Sequence, residues 1–365
     1  RVYPAVPIYL TTFLGVSVTI VGLIEGIAES TASILKVFSG WLSDRFQKRK
    51  PFVTGGYSLS TFSKIILGLS YIWPFVLIAR FLDRFGKGIR TSARDALIAG
   101  SCTENIRGRS FGFHRALDTL GAVFGPLAAI LFLAIFNDNL RLIFYIAAIP
   151  GLIGIIILII FVREKKKRQL CYADLKFKWQ DVNPSFKIFL LVSIIFSIGN
   201  SSDAFLILRA QNLGLAVKIT IFGYVLYNIT YALFSIPAGI IVDKIGARKV
   251  LFSGFLIFSI VYFFFGFINR SLFIWFLFPV YGIYMALTEG VGKAYISLLV
   301  PSEKSGTAFG IYQTSVGICS FFSSLIAGIM WNYINASIPF YFGSMTALIA
   351  AVLFIACGKK IKTIK

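Results

Sequence analysis

Seven charged side chains stand close together in this sequence: Arg80, Asp83, Arg84, Lys87, Arg90, Arg94 and Asp95. Guanidinium groups hold carboxylate or phosphate through paired coplanar N–H donors, so an arginine-rich run suits an anionic or zwitterionic solute. Arg80, Arg84, Lys87 and Arg90 are the candidate solute contacts. Carboxylates stand at Glu25 and Glu29, in register with Ser33 and Lys36 on one helical stripe. In an apolar setting a carboxylate needs a partner or a proton. Glu25 and Glu29 therefore either bind protons reversibly or act as permanent partners of the arginines. Asp118, spaced to pair with Arg115, is a third candidate for proton coupling, and His114 beside them reads as structural. Farther along, "GNSSDAFLILRAQNLG" at 199–214 puts Asn200, Ser201, Ser202 and Asp203 in mid-span, the pattern of a broken helix at solute depth. Asp203, Asn228 and Gln313 are the polar solute contacts expected from that half, and Glu289 and Lys293 are spaced to pair with each other.

The elements that carry these residues are membrane helices. The chain is 57% hydrophobic and 14% charged, whereas a soluble domain carries roughly 25% charged residues. Apolar runs of about 20 residues recur throughout, such as 142–162 and 250–268, and the ten-residue alternation of a membrane barrel is missing. Spans are expected near 16–39, 52–71, 74–97, 109–136, 141–162, 186–208, 216–242, 249–268, 273–299, 306–332 and 338–357. The opening "RVYPAVPIYLTTF" reads as the second half of a further helix, which makes twelve.

The formal charge of +21 is concentrated in alternate connections, around Arg45 to Lys50, Arg107 and Arg109, Arg163 to Arg168, Lys244 to Lys249, and Lys359 to Lys365. That is the positive-inside pattern, so the charge reports a cytoplasmic face and argues against nucleic-acid binding. It places the 163–185 linker and the C-terminus in the cytoplasm. Cys102, Cys171, Cys319 and Cys357 lie far apart and give no metal signature. There is no nucleophile–base set and no phosphate loop, so neither an enzyme nor a cofactor is expected.

On a helix the seven charges from Arg80 to Asp95 fall within an arc of roughly 140°. Ile78, Phe81, Leu82, Phe85 and Ile89 lie opposite. Arg94 and Asp95 read as interfacial, but Arg80, Asp83 and Arg84 belong to the membrane interior and need a protein or water-filled surround.

The chain also repeats itself. "GWLSDRFQKRK" at 40–50 matches "GIIVDKIGARK" at 239–249, and the same offset aligns "LG" at 14–15 with "LG" at 213–214 and Arg94 with Lys293. Two halves related by duplication, 1–162 and 186–365, predict pseudo-symmetric six-helix bundles with a solute path between them.

These motifs resemble those of the major facilitator superfamily, and the likeness extends over essentially the whole chain. Its most specific element is the loop made here by Gly40, Asp44, Arg45 and Arg49 and again by Gly239, Asp243, Lys244 and Arg248. The first copy departs from the pattern at Gln47, where glycine is usual. The resemblance implies that the loop clasps the cytoplasmic side of one conformation. Gly121, Gly125 and Pro126 resemble the fifth-span motif of the superfamily's antiporters, and two glycines at that spacing allow a close helix crossing. Arg84 with Gly88 resembles a fourth-span element, with Arg80 competing for the role.

The reading is thus a monomeric, multi-pass secondary transporter of a bacterial-type cytoplasmic membrane. It works by alternating access and couples protons to the export of a small anionic or zwitterionic solute. Symport or facilitated import of an organic anion, efflux of lipophilic drugs, and a non-transporting receptor or scaffold are the alternatives.

Overall fold

The computed structural model describes residues 3–46, 49–101, 104–136, 139–162, 183–300 and 305–357. These are helical almost throughout. A short helix α1 (Ala5–Ile8) runs into a π-helical turn over Tyr9–Phe13. There follow α2 (Val18–Phe46), α3 (Lys50–Leu69), α4 (Trp73–Ser101), α5 (Glu104–Ile135) and α6 (Leu140–Phe161). The second half holds α7 (Pro184–Gly199), α8 (Ala204–Asn212), α9 (Val217–Ile245), α10 (Ala247–Phe267), α11 (Ile274–Leu299), α12 (Ser305–Tyr333) and α13 (Ile338–Ala356). Taking α1 with its π turn as one span and α7 with α8 as another gives the twelve that the hydropathy pattern predicts.

Local chemistry sets the boundaries. Asn139 caps α6 by accepting from the backbone N–H groups of Arg141 and Leu142, and Asn183 caps α7 by accepting from Ser185, with Pro184 at the first helical position. Gly15 and Gly214, paired by the sequence repeat, both have positive φ, +62° and +90°. Gly246 has φ +88° and is the single residue between α9 and α10. A side chain at any of the three would be strained.

The surface is inverted relative to that of a soluble protein. Ile149, Leu152, Ile153, Ile156, Ile160 and Phe161 make α6 apolar on its exposed side, with Phe161 74% exposed. Such a face needs lipid. Among the described residues, eight helical stretches are long and apolar enough to cross a membrane. The charges of α4 and the many Ser, Thr and Gly residues of α3 keep these two out of that set.

The described residues fall into two compact units. One draws on Arg1–Val16 and Ile24–Asp174, the other on Ser17–Leu23 and Leu175–Lys365. In the first, α3 packs on α4 and α6, and α5 on α4 and α6. In the second, α10 packs on α11 and α13, and α12 on α11 and α13, the same pairs in the repeat. The first turns of α2 group with the second unit: the Thr19 hydroxyl donates to the Gly328 carbonyl of α12 at 3.0 Å.

Candidate functional site

In the first unit, α4 is clasped by α2 and α3 through glycine. A methyl on Gly56 would sit 2.5 Å from the Gly86 carbonyl oxygen, and one on Gly88 would sit 2.6 Å from the Cβ of Leu35. Gly86 and Gly88 are thus both sites of close packing. Hydroxyls pin the crossings: Ser39 donates to the Gly88 carbonyl, Ser92 to that of Lys36 and Ser60 to that of Asp83. With backbones this close, side chains one turn apart on α2 and α4 must meet.

They meet as two ion pairs. Arg80 grips Glu25 with a full side-on fork: Nε donates to Oε1 at 2.9 Å and Nη2 to Oε2 at 2.6 Å. Glu25 is completely buried and Arg80 nearly so. One turn along, Arg84 Nη2 meets Glu29 Oε1 at 3.0 Å. The same fork is only half used there. Among the described residues Arg84 Nε, itself buried, has no hydrogen-bond partner, and the Glu29 side chain is 31% exposed. Asp83 lies 3.9 Å from Arg80. The ring of Tyr3 covers both guanidinium groups, at 5.2 Å from Arg80 and 5.6 Å from Arg84, a cation–π contact that leaves the in-plane donors open.

The remaining first-half candidates divide. Arg90 turns toward α3, donating to the Gly56 carbonyl at 3.3 Å and to the Ser60 hydroxyl, and it packs over the Tyr57 ring. Lys64 of α3 donates to the Ser60 carbonyl at 2.9 Å. Lys87 on α4 and His114 and Asp118 on α5 are half-buried, and Arg94 pairs with Asp95 at 2.9 Å. The side chain of Arg115 lies outside the described residues. On α5, Pro126 is buried, but Gly121 is exposed and a methyl there would meet nothing within 4 Å.

In the second unit, the polar run breaks the seventh span as its composition predicts. α7 stops at Gly199 and α8 starts at Ala204. The Ser202 N–H donates to the Ser324 hydroxyl, Asn200 Nδ2 donates to the Tyr284 hydroxyl, and Asp203 accepts from the Tyr281 hydroxyl at 2.8 Å. Tyr227, Phe258, Tyr262, Tyr281 and Tyr284 pack ring against ring around the break. Asn228 donates to the Tyr224 carbonyl one turn earlier, and Gln313 is half-buried on α12. Glu289 takes the Tyr231 hydroxyl. Arg209 is structural: it donates to the carbonyls of Phe265, Gly266 and Ile268 and to Asn212, closing the end of α10.

The loop motif is partly described. The side chains of Gly40, Asp44, Arg45 and Asp243, and all of Gln47, lie outside the described residues. Arg49 stands at the N-cap position of α3 without a side-chain capping bond, and Lys50, the last residue of the motif's first copy, donates to the Ile159 carbonyl near the end of α6. In the second copy Gly239 and Lys244 are exposed, and Arg248 donates to the Phe354 and Ile355 carbonyls near the end of α13. In each unit a motif cation thus satisfies the last carbonyls of the final helix, where a helix dipole favours positive charge.

Twelve duplicated spans, matched loops and charges buried inside helices describe a transporter, and comparison with known proteins agrees. The model of the Major Facilitator Superfamily matches residues 2–207 and 188–360. The chain belongs to the Major Facilitator Superfamily. An uncharacterised MFS-type transporter of Methanocaldococcus jannaschii is 39% identical over 97% of this chain and 89% of its own length. A POT family transporter solved with a thioalcohol-conjugated peptide superposes with a TM-score of 0.83 at 14% identity, over 99% of this chain and 93% of its own. A D-xylose–proton symporter gives 0.77 at 18% identity, over 92% and 87%. At such identities the structures share the fold alone. This superfamily member is an integral, multi-pass membrane protein and a secondary transporter.

Sequence reasoning missed Tyr3, Tyr57 and Lys64. Tyr3 and Tyr57 read as ordinary apolar-run aromatics, and only a fold that brings them against α4 reveals their cation–π role. Lys64, a lone charge within an apolar span, was a signal that could have been used.

Proposed function

We propose that this transporter moves a small anionic or zwitterionic solute, coupled to protons, with Arg84 as its principal solute contact. The observation that carries the reading is the half-filled fork: a buried guanidinium whose Nε has no hydrogen-bond partner among the described residues, beside a partly exposed carboxylate that meets Nη2. Burial without a partner is costly, so such a donor suits an acceptor that comes and goes. Lys87 and Arg90 add positive potential, while Asp203, Asn228 and Gln313 supply the second half's polar contacts. Glu29 is the coupling carboxylate under this reading, with Asp118 a further candidate, while Glu25 is held by the full Arg80 fork. Alternating access follows from two six-span halves, 1–162 and 186–365, joined by a cytoplasmic linker at 163–185, with the motif loops and C-terminus on the same side. The working unit is a monomer in a cytoplasmic membrane.

Proteoliposomes with an imposed pH gradient, screened against panels of organic acids, amino acids and drugs, test this. Gradient-driven flux of an anionic or zwitterionic compound supports it, and selective flux of lipophilic cations overturns it. A second reading, proton-driven export by antiport, is favoured by the resemblance of Gly121, Gly125 and Pro126 to the antiporter motif. Reversing the gradient in the same vesicles decides between the directions.

A further inference from the structure

We infer that the break in the seventh span is a binding site for a hard monovalent cation of the sodium kind, held by Asp203, Ser201 and Asn200. The site lies within the second unit and does not depend on the solute contact proposed at Arg84.

Four residues, Asn200 to Asp203, separate the end of α7 from the start of α8, and three of their side chains bring an oxygen. Asn200 spends an amide N–H on the Tyr284 hydroxyl, which leaves its side-chain oxygen as an acceptor. Ser201 is 6% exposed, and its hydroxyl has no hydrogen-bond partner among the described residues. A buried hydroxyl left so is costly and suits a ligand that supplies the missing contact. An aspartate directly before a helix ordinarily accepts from the N–H groups of the first turn. Asp203 makes no such cap, and its carboxylate reaches α11 to take the Tyr281 hydroxyl at 2.8 Å. From α12, Ser324 holds the break by accepting the Ser202 N–H, and the hydroxyl of the adjoining Ser323 is likewise buried without a partner among the described residues.

Charge gives the sign of the ligand. The negative end of the α7 dipole and the positive end of the α8 dipole meet at the break and offset each other, whereas the Asp203 carboxylate adds a full negative charge. Tyrosine and phenylalanine rings pack around it, so that charge is weakly screened. Every donor is an oxygen, with no sulfur or imidazole in the set, which selects a hard cation over a transition metal. One carboxylate balances one positive charge, whereas a divalent ion draws on several. Unwound segments between half-helices are places where transporters coordinate such ions. The repeat offset that aligns Gly15 with Gly214 sets Arg1, Val2, Tyr3 and Pro4 opposite residues 200–203, so this oxygen set belongs to the second half alone. With the ion bound, Asp203 meets a solute as an ion ligand and not as a bare charge.

The test uses the full chain in detergent at constant ionic strength, with choline chloride as the balancing salt. Scintillation proximity reads the binding of radioactive sodium, and the melting temperature is followed in parallel. Saturable binding that unlabelled sodium displaces and choline does not is expected, with a melting temperature that rises with sodium. Ser201→Ala is the decisive variant, because its hydroxyl bonds to nothing in the fold. Its ion-free melting temperature is expected to match wild type while sodium affinity falls about tenfold, the loss of one contact to a charged group. Asp203→Asn keeps an acceptor for Tyr281 and is expected to abolish sodium binding. Absence of saturable sodium binding in wild type overturns the site, as does unchanged affinity in a folded Ser201→Ala or Asp203→Asn protein. Displacement of sodium by calcium at lower concentration than by sodium itself overturns the monovalent assignment.

Discussion

The two repeats solve the same packing problem with different chemistry. Where the first carries Glu25 and Glu29 on α2, the second carries Tyr224 and Asn228 at the equivalent places on α9. Where α4 carries Arg80 and Arg84, α11 carries Pro279 and Ile283, with Tyr281 and Tyr284 on nearby turns. One interior is an ion-pair ladder and the other an aromatic cluster around a broken helix. Both even close the end of their third helix with arginine. Arg141 donates to Tyr9 and to the Ser70 carbonyl beyond α3, while Arg209 does this for α10 from α8. The lesson is that duplication preserved helix positions and left charge free to diverge, so the buried ion pairs among the described residues lie in the first half.

That contrast can be broken by substitution, and the largest effect is expected in the ladder. Arg80→Leu strands a fully buried Glu25 anion and should cost about 3–5 kcal/mol. Fluorescence-detected size exclusion should show little monodisperse protein, and adding Glu25→Leu should recover much of it. A monodisperse, wild-type-like Arg80→Leu would mean the pair does not hold the fold. Arg209→Leu is next, because it uncaps three carbonyls at once; a loss of about 2–3 kcal/mol is expected from hydrogen bonds to a charged group. Its melting temperature should fall while binding of sulfate, acetate or glycine is kept, since no ion-pair rung is touched. Gly86→Ala should follow at about 1–3 kcal/mol, the penalty of overpacking a tight crossing. Gly121→Ala, with open space around it, should stay within about 0.5 kcal/mol of wild type. Equal losses at the two glycines would sink the assignment of the close crossing to α4.

Much of this was legible in the sequence. The positive-inside alternation and the repeated loop specified the spans, because bilayer thickness and charge cost act on every helix alike. The repeat paired Gly15 with Gly214, and both have positive φ. Polar residues at 200–203 announced the helix break. The charged arc of α4 pointed to the ladder, since no such face survives in lipid. What sequence could not supply was pairing. Whether Glu25 and Glu29 were partners or proton carriers depends on how each fills a guanidinium fork, and equal spacing on α2 hides that difference. Tyr3 was invisible for a related reason: its contact with Arg80 and Arg84 is set by chain path and not by any local pattern.

The most direct measurement compares Arg84→Lys with wild type for binding of sulfate, acetate and glycine. Lysine keeps the charge and loses the planar fork. Affinity for the bound probe should fall by about tenfold or more, roughly 1.4 kcal/mol, while the ligand-free melting temperature stays close to wild type. Unchanged affinity in a folded Arg84→Lys protein would contradict the assignment of Arg84 as the solute's guanidinium.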